Sequence, residues 1–259
     1  MRRLTALAVF FFAAVFCVFA QDGAPTTTTT SAPTWSGVWN AGFYRQYYGN
    51  IVSKVFAHQP VVWNALTLNR RLDDKTTWCV NVWNSEGFLR SSFGTFANET
   101  DLGTCIARQV GKFSVSGTGT IFLLNPNAGT DVVVLAARVS RTFARGGNAF
   151  TPYAEIQQFM VTSKDVGYHG GIYPFLGMDY ARKLTGRLSL VTHFHEHRDL
   201  SGAFGEKKGA NLFYGEAGLR IAVKESFAIT FPRIGYGGSW DDPNRPRRTT
   251  WSAGITKTF

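Results

Sequence analysis

Hydrophobic and polar residues alternate strictly from Thr249 to Phe259. Trp251, Ala253, Ile255, Lys257 and Phe259 form one set, and Ser252, Gly254, Thr256 and Thr258 form the other. A period of two sends successive side chains to opposite faces, so this segment reads as a strand with one apolar and one small polar face. Two environments accept such a strand. In a soluble β-protein the apolar face packs inward. In a transmembrane barrel the sense inverts, with apolar and aromatic residues toward lipid and small polar ones toward the lumen.

The same period recurs along the chain. Phe113, Val115, Gly117, Gly119, Ile121 and Leu123 oppose Ser114, Ser116, Thr118 and Thr120. Phe213, Ala217, Leu219, Ile221 and Val223 oppose Tyr214, Glu216, Gly218 and Arg220. From Trp35 onward the pattern predicts strands over 35–48, 58–69, 75–84, 98–109, 112–124, 130–142, 149–160, 169–181, 186–197, 210–223, 226–236 and 248–259. No segment carries the 3.6-residue period of a helix.

The connections between these strands alternate in length. Val110-Gly111, Lys183 to Thr185 and Lys224-Glu225 are tight and even-numbered. Gly49–Ala57, Ser85–Ala97, Arg198–Gly209 and Gly237–Arg247 are longer and odd-numbered. Outer-membrane barrels keep short turns on the periplasmic side and longer loops outside, whereas a soluble sandwich has no reason for this parity. The expected fold class is therefore all-β: a transmembrane antiparallel up-and-down β-barrel of about 12 strands, with both termini periplasmic.

Composition agrees. Aromatic residues make up 15% of the chain and charged residues only 17%, against roughly 25% in soluble domains. No internal run approaches the ~20 apolar residues of a membrane helix. At the N-terminus, Met1-Arg2-Arg3 followed by the apolar run Leu4–Ala20 reads as a secretory signal peptide cut after Ala20. The expected organisation is a signal peptide at 1–20, a disordered Thr/Pro-rich periplasmic tail at 21–34, and a barrel domain at 35–259. Losing Arg2 and Arg3 lowers the formal charge of +10 by two. In an exported chain that remaining basic balance points to anionic headgroups or solutes, with no nucleic acid.

Trp251, Ile255 and the terminal Phe259, at alternate positions, resemble the C-terminal strand through which bacterial outer-membrane proteins engage the barrel-assembly machinery. Lys257 departs from the apolar choice usual there. Further upstream, three segments carry a second likeness: Phe43-Tyr44-Arg45-Gln46-Tyr47-Tyr48, His58-Gln59-Pro60-Val61-Val62, and Trp78-Cys79-Val80-Asn81-Val82-Trp83-Asn84. Followed by Asn98-Glu99-Thr100-Asp101-Leu102, this order resembles the TorF-type outer-membrane porins over roughly the N-terminal half. The resemblance implies a small twelve-stranded barrel and brings no catalytic motif.

Several side chains are candidates for chemistry. His193, His195 and His197 share one face of a strand, and imidazole nitrogens are good Zn or Cu ligands, which makes the row a weak metal candidate. Alternate residues on a strand stand ~6–7 Å apart, so at most two could share an ion unaided. The same three could equally line a wet lumen. Glu155, Asp179, His193, His195, Glu216 and Arg220 are the candidate lumen-lining set, with Asp101 and Arg138 as further charges. Charges there serve as ion-pair struts or line a solute path. Arg245, Arg247, Arg248, Lys207 and Lys208 place positive charge in two expected outer loops, where lipopolysaccharide phosphates would meet it.

Cys79 and Cys105 fall on one face of neighbouring strands, within a residue or two of each other. In the oxidising periplasm they form either a cross-strand disulfide or two thiols. Trp35, Trp39, Trp78, Trp83, Trp240 and Trp251 lie near expected strand ends, as membrane-interface girdles require. A lipid hydrolase built on His193, His197 and Ser201 has no recognisable spacing to support it. No phosphate loop, zinc-protease helix or nucleophile elbow is present. The expected function is a non-enzymatic porin-like channel of the bacterial outer membrane, passing small solutes passively and requiring no cofactor. Its expected partners are the lipid bilayer, lipopolysaccharide and the assembly machinery. The alternative is a non-conducting structural or adhesion barrel; a barrel-borne lipid hydrolase or metal binder ranks below both.

Overall fold

The computed structural model describes residues 34–49, 54–57, 60–87, 98–124, 131–161, 170–201 and 208–259. The expected signal peptide, the tail up to residue 33 and Lys207 lie outside them. The strands are β1 Trp35–Tyr44, β2 Tyr47–Gly49, β3 Lys54–Ala57, β4 Val61–Arg71, β5 Thr76–Gly87, β6 Glu99–Val110, β7 Phe113–Leu124 and β8 Asp131–Ser140. They continue as β9 Phe143–Arg145, β10 Asn148–Val161, β11 Gly171–Lys183, β12 Leu188–Arg198, β13 Asn211–Lys224, β14 Phe227–Ser239 and β15 Arg248–Thr258.

Twelve of these close a ring. Sequence neighbours pair antiparallel throughout, β15 returns to β1, and β1 pairs next with β4. At the seam the Gly37 N–H donates to the Phe259 carbonyl at 2.7 Å, and the Phe259 N–H donates to the Gly37 carbonyl at 3.0 Å. The result is a closed twelve-stranded antiparallel barrel with no helix among the described residues. Every wall strand thus has a pairing partner on both sides, and the ring leaves no open sheet edge.

Strand β9 is a continuation of β8 in the same register against β10. The break at Arg141-Thr142 falls opposite Pro152 and Thr151. Pro152 has no N–H to give the ladder; the Arg141 N–H donates to the Pro152 carbonyl at 3.3 Å, and the Thr142 and Thr151 hydroxyls meet at 2.9 Å. The first expected strand, 35–48, is also divided. Tyr44 is the last residue paired on both sides, with Val61 and Ser252. Beyond it the Arg45 N–H still donates to the Trp251 carbonyl at 3.2 Å, and Tyr47–Gly49 pairs with β3 as a separate two-stranded sheet.

The alternation in connection length holds all round the ring. Five connections are short: 72–75, 111–112, 146–147, 184–187 and 225–226. The six between them are longer, and their described parts include 199–201, 208–210 and 240–247. Gly146 and Gly147 have φ of 57° and 78°, the double positive φ of a two-residue hairpin turn whose twist matches the strands. Both ends of the barrel, Trp35 and Thr258, stand at the short-turn rim.

The two faces separate as the alternation requires. Trp251 is 39% exposed on the outside, while its neighbour Ser252 is 5% exposed on the inside. Val82, Leu102 and Ile121, directly opposed across β5, β6 and β7, form an exposed apolar row. The lumen is not uniformly polar. Val132, Val134, Phe159, Tyr173 and Phe175 pack together on the inner side of β8, β10 and β11, with Tyr153 at their edge.

Candidate lumenal site

The registers bring one polar level together. Asp179 on β11, His193 on β12 and Glu216 on β13 are directly opposed. Glu155 on β10 is opposed to Arg138 on β8. Alternation points all of these inward, and Arg138 reaches past β10 to bind Asp179, Nη2 to Oδ2 3.0 Å, with Glu155 at 3.9 Å. Charged groups withdrawn from bulk water need such partners, because desolvation otherwise disfavours ionisation.

The contacts continue inward as a chain. His193 Nδ1 lies 2.7 Å from Asp179 Oδ1, and its Nε2 lies 2.9 Å from Nδ1 of His195. With Asp179 ionised, the His193 Nδ1–H donates to the carboxylate, and a neutral His193 ring then accepts at Nε2 from the His195 Nδ1–H. Tyr153 lies against this chain, its ring 6.1 Å from that of His193 and 3.5 Å beneath the Arg138 guanidinium. Gln157 donates to Glu155 beside them. On the neighbouring wall Arg233 Nη1 meets Glu216 Oε1 at 3.4 Å, and the Tyr214 hydroxyl donates to Glu216 Oε2 at 3.0 Å.

Arg233 enters this site through an irregularity. The register of β14 shifts between Thr230 and Arg233, so Phe231-Pro232 is accommodated as a bulge. Before it, Phe227, Ile229 and Phe231 face outward; after it, Ile234 and Tyr236 do, at 51% and 46% exposure. Plain alternation counted from Phe227 would put Arg233 outside. Pro232 was the available signal, since proline within a sheet marks an edge or a bulge.

Of these groups, Asp179, His193, Glu216 and Arg233 border a cavity of about 350 Å³, with Thr151 also in its lining. That is at the lower end of small-molecule sites. Arg220 faces the lumen nearer the short-turn rim and is exposed, away from this group. His195 and His197 are buried against rings, with His197 stacked on Phe175 at 4.5 Å and His195 5.9 Å from Tyr214. His193 spends both ring nitrogens on Asp179 and His195. Among the described residues no group of three or more His, Cys, Asp or Glu is placed to hold a metal.

The other sequence candidates fall elsewhere. Cys79 and Cys105 are directly opposed on β5 and β6, Cα–Cα 5.0 Å, and are joined by a disulfide. Asp101 faces the lumen on β6, between Trp83 and Phe122. Ser201 does not meet the histidines: its Oγ accepts from the Ile172 N–H, and its N–H donates to Asp199, which also takes the Tyr173 hydroxyl. Arg245 is 4% exposed, folded into the 240–247 loop, and Arg247 lies over Trp240 at 5.0 Å. Trp35 and Trp78 meet edge to face outside the short-turn rim, and Trp251 meets Phe43 outside the other. Trp39 faces outward opposite Lys257 and Leu66. Trp83 instead faces the lumen, because it is paired with Ala65 and Asp101 on the inner side of the sheet.

No protein-family model and no curated protein matches the sequence. Solved structures do. An outer-membrane channel from Pseudomonas putida F1 superposes with a TM-score of 0.50 at 10% identity, covering 91% of this chain and 100% of that one. The NanC porin gives 0.51 at 10% identity over 86% and 98% of the two chains. The β domain of the Bordetella autotransporter BrkA gives 0.50 at 12% identity over 87% and 100%. At such identities the likeness is one of fold: this chain, like those, is a closed antiparallel β-barrel.

Proposed function

We propose that this chain is a bacterial outer-membrane protein forming a porin-like channel for passive diffusion of small solutes. One observation carries the reading: an apolar outer wall encloses a lumen in which ion-paired side chains border a cavity. Paired charges on a lumen wall hold its shape and grade the passage of ions by sign. Export through the N-terminal segment, periplasmic short turns, and a TorF-type family membership resting on the Phe43–Trp83 motifs belong to the same proposal. Transport is downhill and needs no catalytic group or cofactor.

A second reading, a non-conducting structural or adhesion barrel, is favoured by the aromatic cluster of Phe159, Tyr173 and Phe175, which occupies lumen next to the charged level. Single-channel recording separates the two. The protein, isolated from membranes of cells expressing the full chain, is reconstituted in a planar bilayer under a salt gradient. Discrete conductance steps establish the channel. Folded, inserted protein that never conducts overturns it and leaves the closed barrel.

A further inference from the structure

The two rims differ sharply in charge. In or within three positions of the five short turns there are ten basic residues and three acidic ones, Asp73, Asp74 and Glu225. At the opposite rim the described residues are mixed, with Glu86, Glu99, Glu196, Asp199, Asp241 and Asp242 set against a similar number of cations.

Alternation sends Arg70, Arg145 and Arg182 of this excess outward, and Arg141 and Lys257, just beyond the count, join them on the outer face. Arg70 is paired with Trp35 and Trp78, and its guanidinium lies 5.7 Å from the Trp35 ring. Arg141 lies 4.5 Å from the Phe143 ring and 5.7 Å from Phe113. Arg145 and Arg182 share the outer face with Phe143, Phe150 and Tyr180, which are exposed or half-buried. Lys257, the residue that interrupts the apolar set of the last strand, stands outside between Phe227 and Trp39.

Aromatic rings on the outer wall seek the interfacial depth of a bilayer, and long cationic side chains beside them extend to headgroup phosphates. The charge-bearing rim is also the one built of short turns, so little protein stands between these cations and the bilayer surface. From this geometry we infer that the outer short-turn rim is a binding collar for anionic glycerophospholipids, held by their headgroup phosphates. The collar rests on the membrane-barrel reading but not on conduction. It is separate from the lipopolysaccharide contact expected for Lys207, Lys208, Arg245, Arg247 and Arg248, which belong to the opposite rim.

The test is native mass spectrometry of the detergent-solubilised protein equilibrated with phosphatidylglycerol and phosphatidylcholine of matched acyl chains. Each cation near an anionic surface is worth at most roughly five-fold in affinity, so a several-fold preference for phosphatidylglycerol is expected. It should fall toward parity in the variant Arg70→Gln, Arg141→Gln, Arg145→Gln, Arg182→Gln, and survive in Lys208→Gln, Arg247→Gln, Arg248→Gln. It should also decline with added salt in the unaltered protein, a readout independent of whether the variant folds. Equal retention of the two lipids, a preference unchanged in the first variant, or one lost equally in the second overturns the collar. Displacement by inorganic phosphate as effective as by lipid assigns the rim to a free anion and overturns it too. Heat-sensitive gel mobility, followed in parallel, reports the folded barrel. Its absence would sink the membrane-barrel reading itself.

Discussion

Tyr153 lies flat across Gly177. A Cβ built on that glycine would run into the Tyr153 ring and stand 2.7 Å from the Phe194 carbonyl oxygen. The missing side chain is the seat on which the ring beneath Arg138 rests. Gly177→Ala should therefore lift Tyr153 and loosen the Arg138–Asp179–His193 chain. Overpacking of this kind costs about 1–3 kcal/mol. A lowered urea midpoint for the folded barrel in detergent would register it, and an unchanged midpoint would deny Tyr153 its seat.

The bond between Cys79 and Cys105 closes a loop with a sequence separation of 26. Loops of that size correspond to about 3 kcal/mol of unfolded-chain entropy. Cys79→Ser with Cys105→Ser should lower stability by up to that amount. Alkylation of denatured protein before and after reduction should differ by two adducts; identical masses would mean that the bond does not form.

Asp73 accepts the Lys75 and Thr76 N–H groups at 2.7 Å each within the turn before β5, and the Arg108 guanidinium lies 3.8 Å away. Burial raises its pKa, but those hydrogen bonds, with the Thr76 hydroxyl and the Arg108 charge, outweigh that and hold the carboxyl below its ordinary value. A depressed carboxylate contributes stability that is complete above its unfolded pKa and lost as pH falls through the folded one. Asp73→Ala should thus be less stable than the parent at neutral pH, with the gap closing in acid. A gap independent of pH, followed by thermal unfolding at several pH values, would rule out the carboxylate as its cause.

Glu216 is the partner of Arg233 in the lumen. Glu216→Gln leaves that guanidinium without a countercharge beside the cavity, so reversal potentials should move toward anion preference. Arg233→Gln should move them the opposite way. Two shifts of the same sign would place the pair off the conduction path.

The ring, its strand count and most strand positions were legible because each strand has an apolar outer face and an inner face turned to the lumen, which enforces the period of two. In β11 the inner and outer faces do not separate by polarity in the sequence, for a physical reason: Tyr173 and Phe175 inside are as apolar as Pro174 and Leu176 outside. At the candidate site, Glu155, Asp179, His193 and Glu216 were readable as inward-facing residues. That Arg138 would bind Asp179 was not, since the contact crosses β10 and depends on side-chain reach. Arg233 was hidden by the Phe231-Pro232 bulge, which reverses the alternation two residues before it. The basic rim escaped notice because its arginines are spread over five turns far apart in the chain and meet only when the ring closes.

Closure at Gly37 and Phe259 also fixes how this protein can come apart. An open sheet can shed its outermost strand and expose one new edge where one already existed. A ring has no outermost strand, so losing any member uncovers two rows of unpaired backbone amides at once. No strand can therefore be peeled from this barrel at the low cost of fraying an edge, and its unfolding is expected to be concerted, with the twelve strands persisting or failing as one body.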